Sequence, residues 1–189
     1  TVTFDFGTIS GGTLDGGVYS GAAFASNGNG TKSITLDSSN NSLQGIRDAI
    51  NAAEIGVTAS LINDGSNTPY RLVFSSDSQG ISNSMKVSVS GDAAVGSLLA
   101  HDPAGTQNLS ETVTAQNANF KLNGVAVTKT SNSVSDVLEG VTLNLYKVTS
   151  SPATLTVARD TASVGNSISS FVKAYNDLAT TLKNVSGYD

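Results

Sequence analysis

The sequence offers few residues that could do chemistry, and their spacing excludes most of it. The one imidazole, His101, stands beside Asp102 in a stretch without hydrophobic period. A Ser-His-Asp relay needs three groups that converge in space, and adjacency along the chain does not supply that geometry. With 28 serines in the chain, one near His101 arises by chance, so the histidine reads as a solvated loop residue. Carboxylates for acid–base work would come from Asp5, Asp15, Asp37, Asp48, Asp64, Asp77 and Asp92. They are scattered and fall at turns or helix starts, where Asp has a structural role. The glycine clusters Gly11-Gly12-Thr13-Leu14-Asp15-Gly16-Gly17 and Gly28-Asn29-Gly30 lack the GxxxxGK[ST] pattern of a phosphate loop. Neither is a GxGxxG between strand and helix. No stretch has the acidic spacing of a calcium loop. The absence of cysteine removes thiolate chemistry, disulfides and Cys-ligated zinc. Asn-x-Ser/Thr triplets at Asn29, Asn40, Asn108 and Asn184 are as many as this Ser/Thr content gives by chance. The sequence therefore predicts no catalytic, cofactor-binding or metal-ligating residue and no enzyme.

What is left is architecture. Ser, Thr, Asn and Gly supply 84 of 189 residues, which raises the question of disorder. Leu, Ile, Val and Phe still supply 47, about a quarter, and the net charge of −5 is spread out; both argue for a folded chain. The acidic balance has no basic stripe, so nucleic acid is not an expected partner. No apolar run approaches the ~18 residues of a membrane span, so no membrane partner is expected either. The chain has no initiator Met and opens at Thr1-Val2-Thr3-Phe4 in a strand pattern, which reads as a fragment.

Alternation at Val2, Phe4 and Phe6 predicts a strand that the Gly11–Gly17 cluster breaks. A short strand follows around Ile34 and Leu36. Ser42 is a helix cap, followed by an apolar face of Leu43, Ile46, Ile50 and Ala53, with Gly56 at the C-terminal glycine position. Val57–Leu61, Tyr70–Phe74 and Met85–Val89 read as strands, and Asn63-Asp64-Gly65-Ser66 as a turn. Gly91 and Asp92 open a short helix through Leu99. The stretch from His101 to Ser110 carries no pattern and reads as a boundary between lobes.

Beyond it, Asn123-Gly124 between Phe120/Leu122 and Val125/Val127 predicts a hairpin with a type I′ turn. Asn132 or Ser133 caps an expected short helix through Val134, Val137 and Leu138, stopped by Gly140. Strands follow at Val141–Leu145 and at Leu155 with Val157. Strand, cap, helix, glycine and Val-Thr strand thus recur twice, as an internal β-α-β echo. From Asp160, an expected N-cap, a different pattern begins. Val164, Ile168, Phe171, Tyr175, Leu178, Leu182 and Val185 alternate in steps of four and three, the seam of a coiled coil. No second heptad run exists in the chain. The seam's expected partner is a helix elsewhere in a longer chain or in another subunit; the alternative is a helix packed on its own sheet. The fold class predicted is α+β, mainly β: two small antiparallel β-rich head lobes with short helices, at 1–108 and 109–158, followed by a long C-terminal stem helix in 159–189.

These residues carry a family likeness. Ser42-Leu43-Gln44-Gly45-Ile46-Arg47-Asp48-Ala49-Ile50-Asn51-Ala52-Ala53, Gly56-Val57-Thr58-Ala59-Ser60 and Tyr70-Arg71-Leu72-Val73-Phe74-Ser75-Ser76 resemble the flagellin hook IN motif. Ala115-Gln116-Asn117-Ala118, Asn123-Gly124-Val125, Ser131-Asn132 and Gly140-Val141-Thr142-Leu143-Asn144-Leu145 resemble the second block of the flagellar filament cap family (FliD, flagellar hook-associated protein 2). Phe171-Val172-Lys173-Ala174-Tyr175-Asn176-Asp177-Leu178 looks like the start of that family's stem helix. The resemblance implies a homo-oligomeric cap at the distal filament tip, outside the cell, that promotes flagellin polymerisation. It also implies export by the flagellar type III system and no cofactor. A second expectation is an adhesin-like module that recognises host glycan or mucin through Gly11–Gly17 and Asn63–Thr68, the loops expected to be outermost.

Overall fold

The computed structural model describes residues 1–156 and 161–187. The cap expected at Asp160 and the strand position expected at Val157 lie outside the described residues. The chain divides into two compact units, Thr1–Tyr146 and Lys147–Asp189.

The first unit is built around β1 (Val2–Asp15). Gly7 pairs on opposite edges with Ser26 of β2 (Val18–Ser26) and Ser84 of β6 (Ser84–Val89). Val2 likewise lies between Ile34 of β3 (Lys32–Ile34) and Val89. β2 and β3 therefore line one edge of β1 in succession, and β6 covers only the first half of the other. All pairings are antiparallel. From Thr8 onward β1 and β2 continue as a two-stranded ribbon. The expected break at Gly11 does not occur; the strand runs through Gly11 and Gly12, and only Gly16-Gly17 form the turn. Glycines tolerate the left-handed backbone that a strand interior otherwise excludes, so the ladder survives them.

Helix α1 (Leu43–Ala52) begins as predicted: the Gly45 amide donates to Ser42 Oγ at 3.0 Å. Its end differs from expectation. Glu54 takes the left-handed position just past the helix (φ 48°), and Gly56 (φ 80°) instead makes the turn into β4 (Val57–Asn63). β4 forms a hairpin with β5 (Tyr70–Ser76), pairing Val57 with Ser76 through Asn63 with Tyr70. α2 (Ala93–Leu99) follows β6 and is capped by Asp92, whose Oδ1 accepts from Ala94 and Val95.

Alternate residues of these elements meet in one core: Val2, Phe4, Ile34, Ile46, Ile50, Val57, Ala59, Val87 and Leu99. Phe4 and Ile50 are wholly buried. Phe4 meets Phe74 edge-on, with ring centroids 5.6 Å apart and planes at 88°. Burying a side chain of this size is worth about 1.5–3 kcal/mol, so the period-two strands and the α1 face together decide the fold.

Two hairpins complete the unit. β7 (Ala118–Leu122) and β8 (Val125–Lys129) turn at Asn123-Gly124, both left-handed (φ 49° and 85°), as a type I′ turn demands. The helix expected at 133–138 is a strand, β9 (Ser133–Leu138), paired with β10 (Val141–Asn144) across Glu139-Gly140. A helix this short gains little on its own, whereas the hairpin pairs its backbone and buries Val134. The echo of two β-α-β elements therefore does not exist: only the first copy contains a helix. Leu155, expected in a strand, has no regular structure.

The second unit contains α3 (Thr161–Ser186), 26 residues and about 39 Å long. Lys173 and Asp177 form an ion pair one turn apart at 2.8 Å.

Candidate assembly surfaces

The carboxylates weighed for chemistry sit in local turns. Asp37 is pulled below its usual range mainly by the hydroxyl and amide of Ser39. Asp64 is held at about 2 by Ser66 and then by Arg71, whose Nε lies 2.8 Å away. Among the described residues no three His, Asp or Glu side chains cluster where a metal could bind, and no helix is long and apolar enough to cross a membrane.

His101 is not a solvated loop residue. It is only 5% exposed, and its backbone pairs with Val87 of β6 in both directions at 2.7 and 2.8 Å. Its Nδ1 lies 3.0 Å from Leu109 O. A carbonyl can only accept, so the ring carries a proton at Nδ1. Asp102 binds Lys86 Nζ at 2.6 Å, and Lys86 also sits 5.7 Å from the centre of the Phe24 ring of β2. Burial alone would raise the Asp102 pKa; the Lys86 hydrogen bond, the Ala104 amide and the charges of Lys86 and His101 outweigh it and lower it. Pro103 is wholly buried. The segment read as a patternless boundary is thus a packed strap.

The strap ends on the β1–β2 ribbon. Gln107 Oε1 accepts from the Tyr19 amide at 2.7 Å and Nε2 donates to Tyr19 O at 2.8 Å, so one side chain imitates a neighbouring strand. The Glu111 amide donates to Gly17 O at 2.8 Å. Burial, and then the negative charge of the Glu111 carboxylate, push the Tyr19 hydroxyl up to about 12. Sequence reasoning missed this constellation, although a Gln and a Pro inside a segment without apolar period were its visible trace.

Both expected recognition loops are therefore fastened. The tip of the first is held at Gly17 and Tyr19. The second is closed by Asp64 on the Ser66 amide and on Arg71, with the Gly65 amide on Asn63 Oδ1 at 2.9 Å.

The α3 seam presents another kind of surface. Val164, Ile168, Phe171, Tyr175, Leu178, Leu182 and Val185 are all more than half exposed, from 57% at Leu178 to 77% at Val185. Seven large apolar side chains in one heptad register, all reaching water, form a stripe that soluble helices normally cover.

Comparison with known proteins fits this layout. Residues 25–78, the end of β2 through β5, match the flagellin hook IN motif. Residues 115–189, the last two hairpins and α3, match the flagellar hook-associated protein 2 C-terminus. A crystal structure of FliD from Pseudomonas aeruginosa superposes with a TM-score of 0.64 at 32% identity, over 100% of this chain and 87% of that one.

This chain belongs to the flagellar hook-associated protein 2 family.

The D1-D2-D3 domains of the FliD flagellar cap protein from Escherichia coli superpose with a TM-score of 0.71 at 38% identity, covering 99% of this chain and 48% of that one. The flagellar hook-associated protein 2 of Salmonella typhimurium is 39% identical over 156 residues. That alignment covers 82% of this chain and 33% of the relative, so the chain spans about a third of the length of the curated relatives it matches. These FliD relatives are named for the hook and the cap, not for a glycan or mucin ligand. With both loops fastened as well, the adhesin reading has no support.

Proposed function

We propose that this chain supplies the head and the first stem helix of a cap at the distal tip of a bacterial flagellar filament. There it assembles with further copies of itself and promotes flagellin polymerisation, outside the cell, after export by the flagellar type III system. On this reading the chain is structural and has no catalytic centre. Residues 1–108 and 109–158 form the two head lobes, and the stem runs on from 159.

The observation that carries the proposal is family membership across both ends of the chain, coupled to the exposed α3 seam. The seam gives the stem a means of assembly. Val164, Ile168, Phe171, Tyr175, Leu178, Leu182 and Val185 are the residues proposed to pack against a partner helix. The positions flanking the seam are Gly165, Val172 and Ala179 on one side and Ser167, Ala174 and Thr181 on the other. None is charged, so flanking ion pairs do not choose the partner. Most are small, which lets a partner backbone come close.

Deleting the gene should leave cells exporting flagellin that stays unpolymerised in the medium. Normal filaments on the deletion strain would overturn the proposal. For the seam, Phe171→Asp or Leu178→Asp in the full-length protein should lower the assembly mass seen by light scattering. Unchanged mass and melting would place the seam outside any packed interface.

A further inference from the structure

The ribbon formed by β1 and β2 has a discontinuity in its middle. Gly11 and Gly12 on one strand and Gly21 on the other all take left-handed backbone, at φ 67°, 69° and 70°. They face one another: Gly11 pairs with Ala22, and the next paired residues are Thr13 and Ser20. Three left-handed residues at one level carry no side-chain strain because all three are glycine. Below this level the ribbon joins the four-stranded sheet and buries Val2 and Phe4. Above it, in Thr13–Ser20, the large side chains Leu14 and Val18 stay 38% and 41% exposed. The distal half thus has little core of its own.

Its remaining attachments converge on the strap. Gln107 holds both backbone groups of Tyr19, the Glu111 amide holds Gly17 O, and, with burial, the Glu111 carboxylate raises the pKa of the Tyr19 hydroxyl. The strap is anchored independently of the ribbon. His101 pairs with Val87, Asp102 binds Lys86, and Asn108 reaches Gly96 O at 2.9 Å.

We propose that the distal half of the ribbon, Thr13–Ser20, is a hinged arm that turns about Gly11, Gly12 and Gly21 and is latched shut by Gln107 and Glu111. Its opening is a local event that leaves the sheet and the strap in place, because the two halves share no buried side chains above the glycine level. Segments with few buried apolar contacts open at lower free energy than the core they extend from.

Hydrogen exchange on the whole chain tests this. In the unmodified protein the amides of Thr13–Asp15 and Val18–Ser20 should exchange faster than those of Val2–Phe6 and Ser84–Val89. Gln107→Leu removes two hydrogen bonds at nearly constant volume and should speed the distal amides roughly tenfold, with the proximal ones unchanged. Tyr19→Phe, which removes only the hydroxyl that Glu111 acts on and leaves the Gln107 bonds in place, should have a smaller effect in the same place. Equal protection of the two halves in the unmodified protein would overturn the proposal. So would unchanged distal exchange in Gln107→Leu, or distal and proximal rates that rise by the same factor in both variants.

Discussion

Asn51, near the end of α1, does for β4 what Gln107 does for β2. Its Nδ2 donates to Ala59 O at 2.9 Å and its Oδ1 accepts from the Ala59 amide at 2.7 Å. Ala59 is only 3% exposed and belongs to the core. Asn51→Ala deletes both bonds. Each is worth about 1 kcal/mol net, and a buried backbone group left unpaired costs about 1–3 kcal/mol more. Against this, Ala is the better helix former by about 0.6 kcal/mol. The expected loss is about 2–4 kcal/mol. The unit Thr1–Tyr146 has a size for which unfolding entropy is about 0.3 kcal/mol/K, so the midpoint should fall by about 7–13 °C. Calorimetry or thermal circular dichroism reads this directly. Asn119→Ala is the matched control. Asn119 makes only exposed bonds, accepting at Oδ1 from Thr128 and donating from Nδ2 to Asn117 O, and its loss should stay within about 0.5 kcal/mol. If Asn51→Ala melts within 2 °C of the unmodified protein, on the order of the control, water has replaced the amide at this edge. The claim that side-chain amides close the sheet edges would then fail.

Two further outcomes follow from the ribbon tip. A Cβ at Gly17 would lie 2.8 Å from Ser110 Cβ and 2.9 Å from Glu111 O, whereas one at Gly16 meets nothing within 4 Å. Both residues are left-handed, so Gly16→Ala should cost about 1 kcal/mol of strain and Gly17→Ala about 1–3 kcal/mol more, measured as urea midpoints at constant slope. The Tyr19 hydroxyl, raised in the folded state to about 12 from an ordinary 10.0, favours the protonated phenol. Its contribution is complete below pH 10.0 and is lost as pH rises towards 12. Tyr19→Phe should therefore flatten the loss of stability across that alkaline window; an identical pH profile in the variant would remove the Tyr19–Glu111 contact from the account.

Strict periods made most of the fold legible. Val2 and Phe4, Val57 and Ala59, and Val87 alternate with polar neighbours and are buried as predicted. Ser42, Asp92 and Asn123-Gly124 cap or turn where their chemistry says they should. The misses share a cause. Ser133 looks like a helix cap, but β9 is fixed by its partner β10 and not by its own residues. The strap at 101–111 has no apolar period because it is held by backbone and amide bonds to β6 and β2, which lie far off in sequence. Long-range polar pairing leaves no periodic trace. The α3 seam is the opposite case: its heptad is unmistakable in sequence, and its side chains are exposed.

The small size of the sheets leaves many edges to close. Apart from the four strands around β1, the first unit contains three two-stranded sheets. Such sheets have as many edges as strands, and every buried edge group needs a partner. Larger proteins supply a further strand. Here side-chain amides take its place at two edges, Asn51 on β4 and Gln107 on β2; away from the sheet edges, Asn117 Oδ1 accepts from the Ile81 amide and Gln79 Oε1 from the Asn132 amide. The last two also tie the 79–81 turn to the segments just before β7 and β9, fastening the C-terminal hairpins to the rest of the unit. No buried side-chain polar atom among the described residues is left without a partner. Closing an edge with an amide has a consequence for stability. Each amide closes its edge with at most two hydrogen bonds, whereas an added strand would bring a full ladder and new apolar burial. The first unit should therefore resist replacement of its exposed apolar residues better than replacement of Asn51 or Gln107.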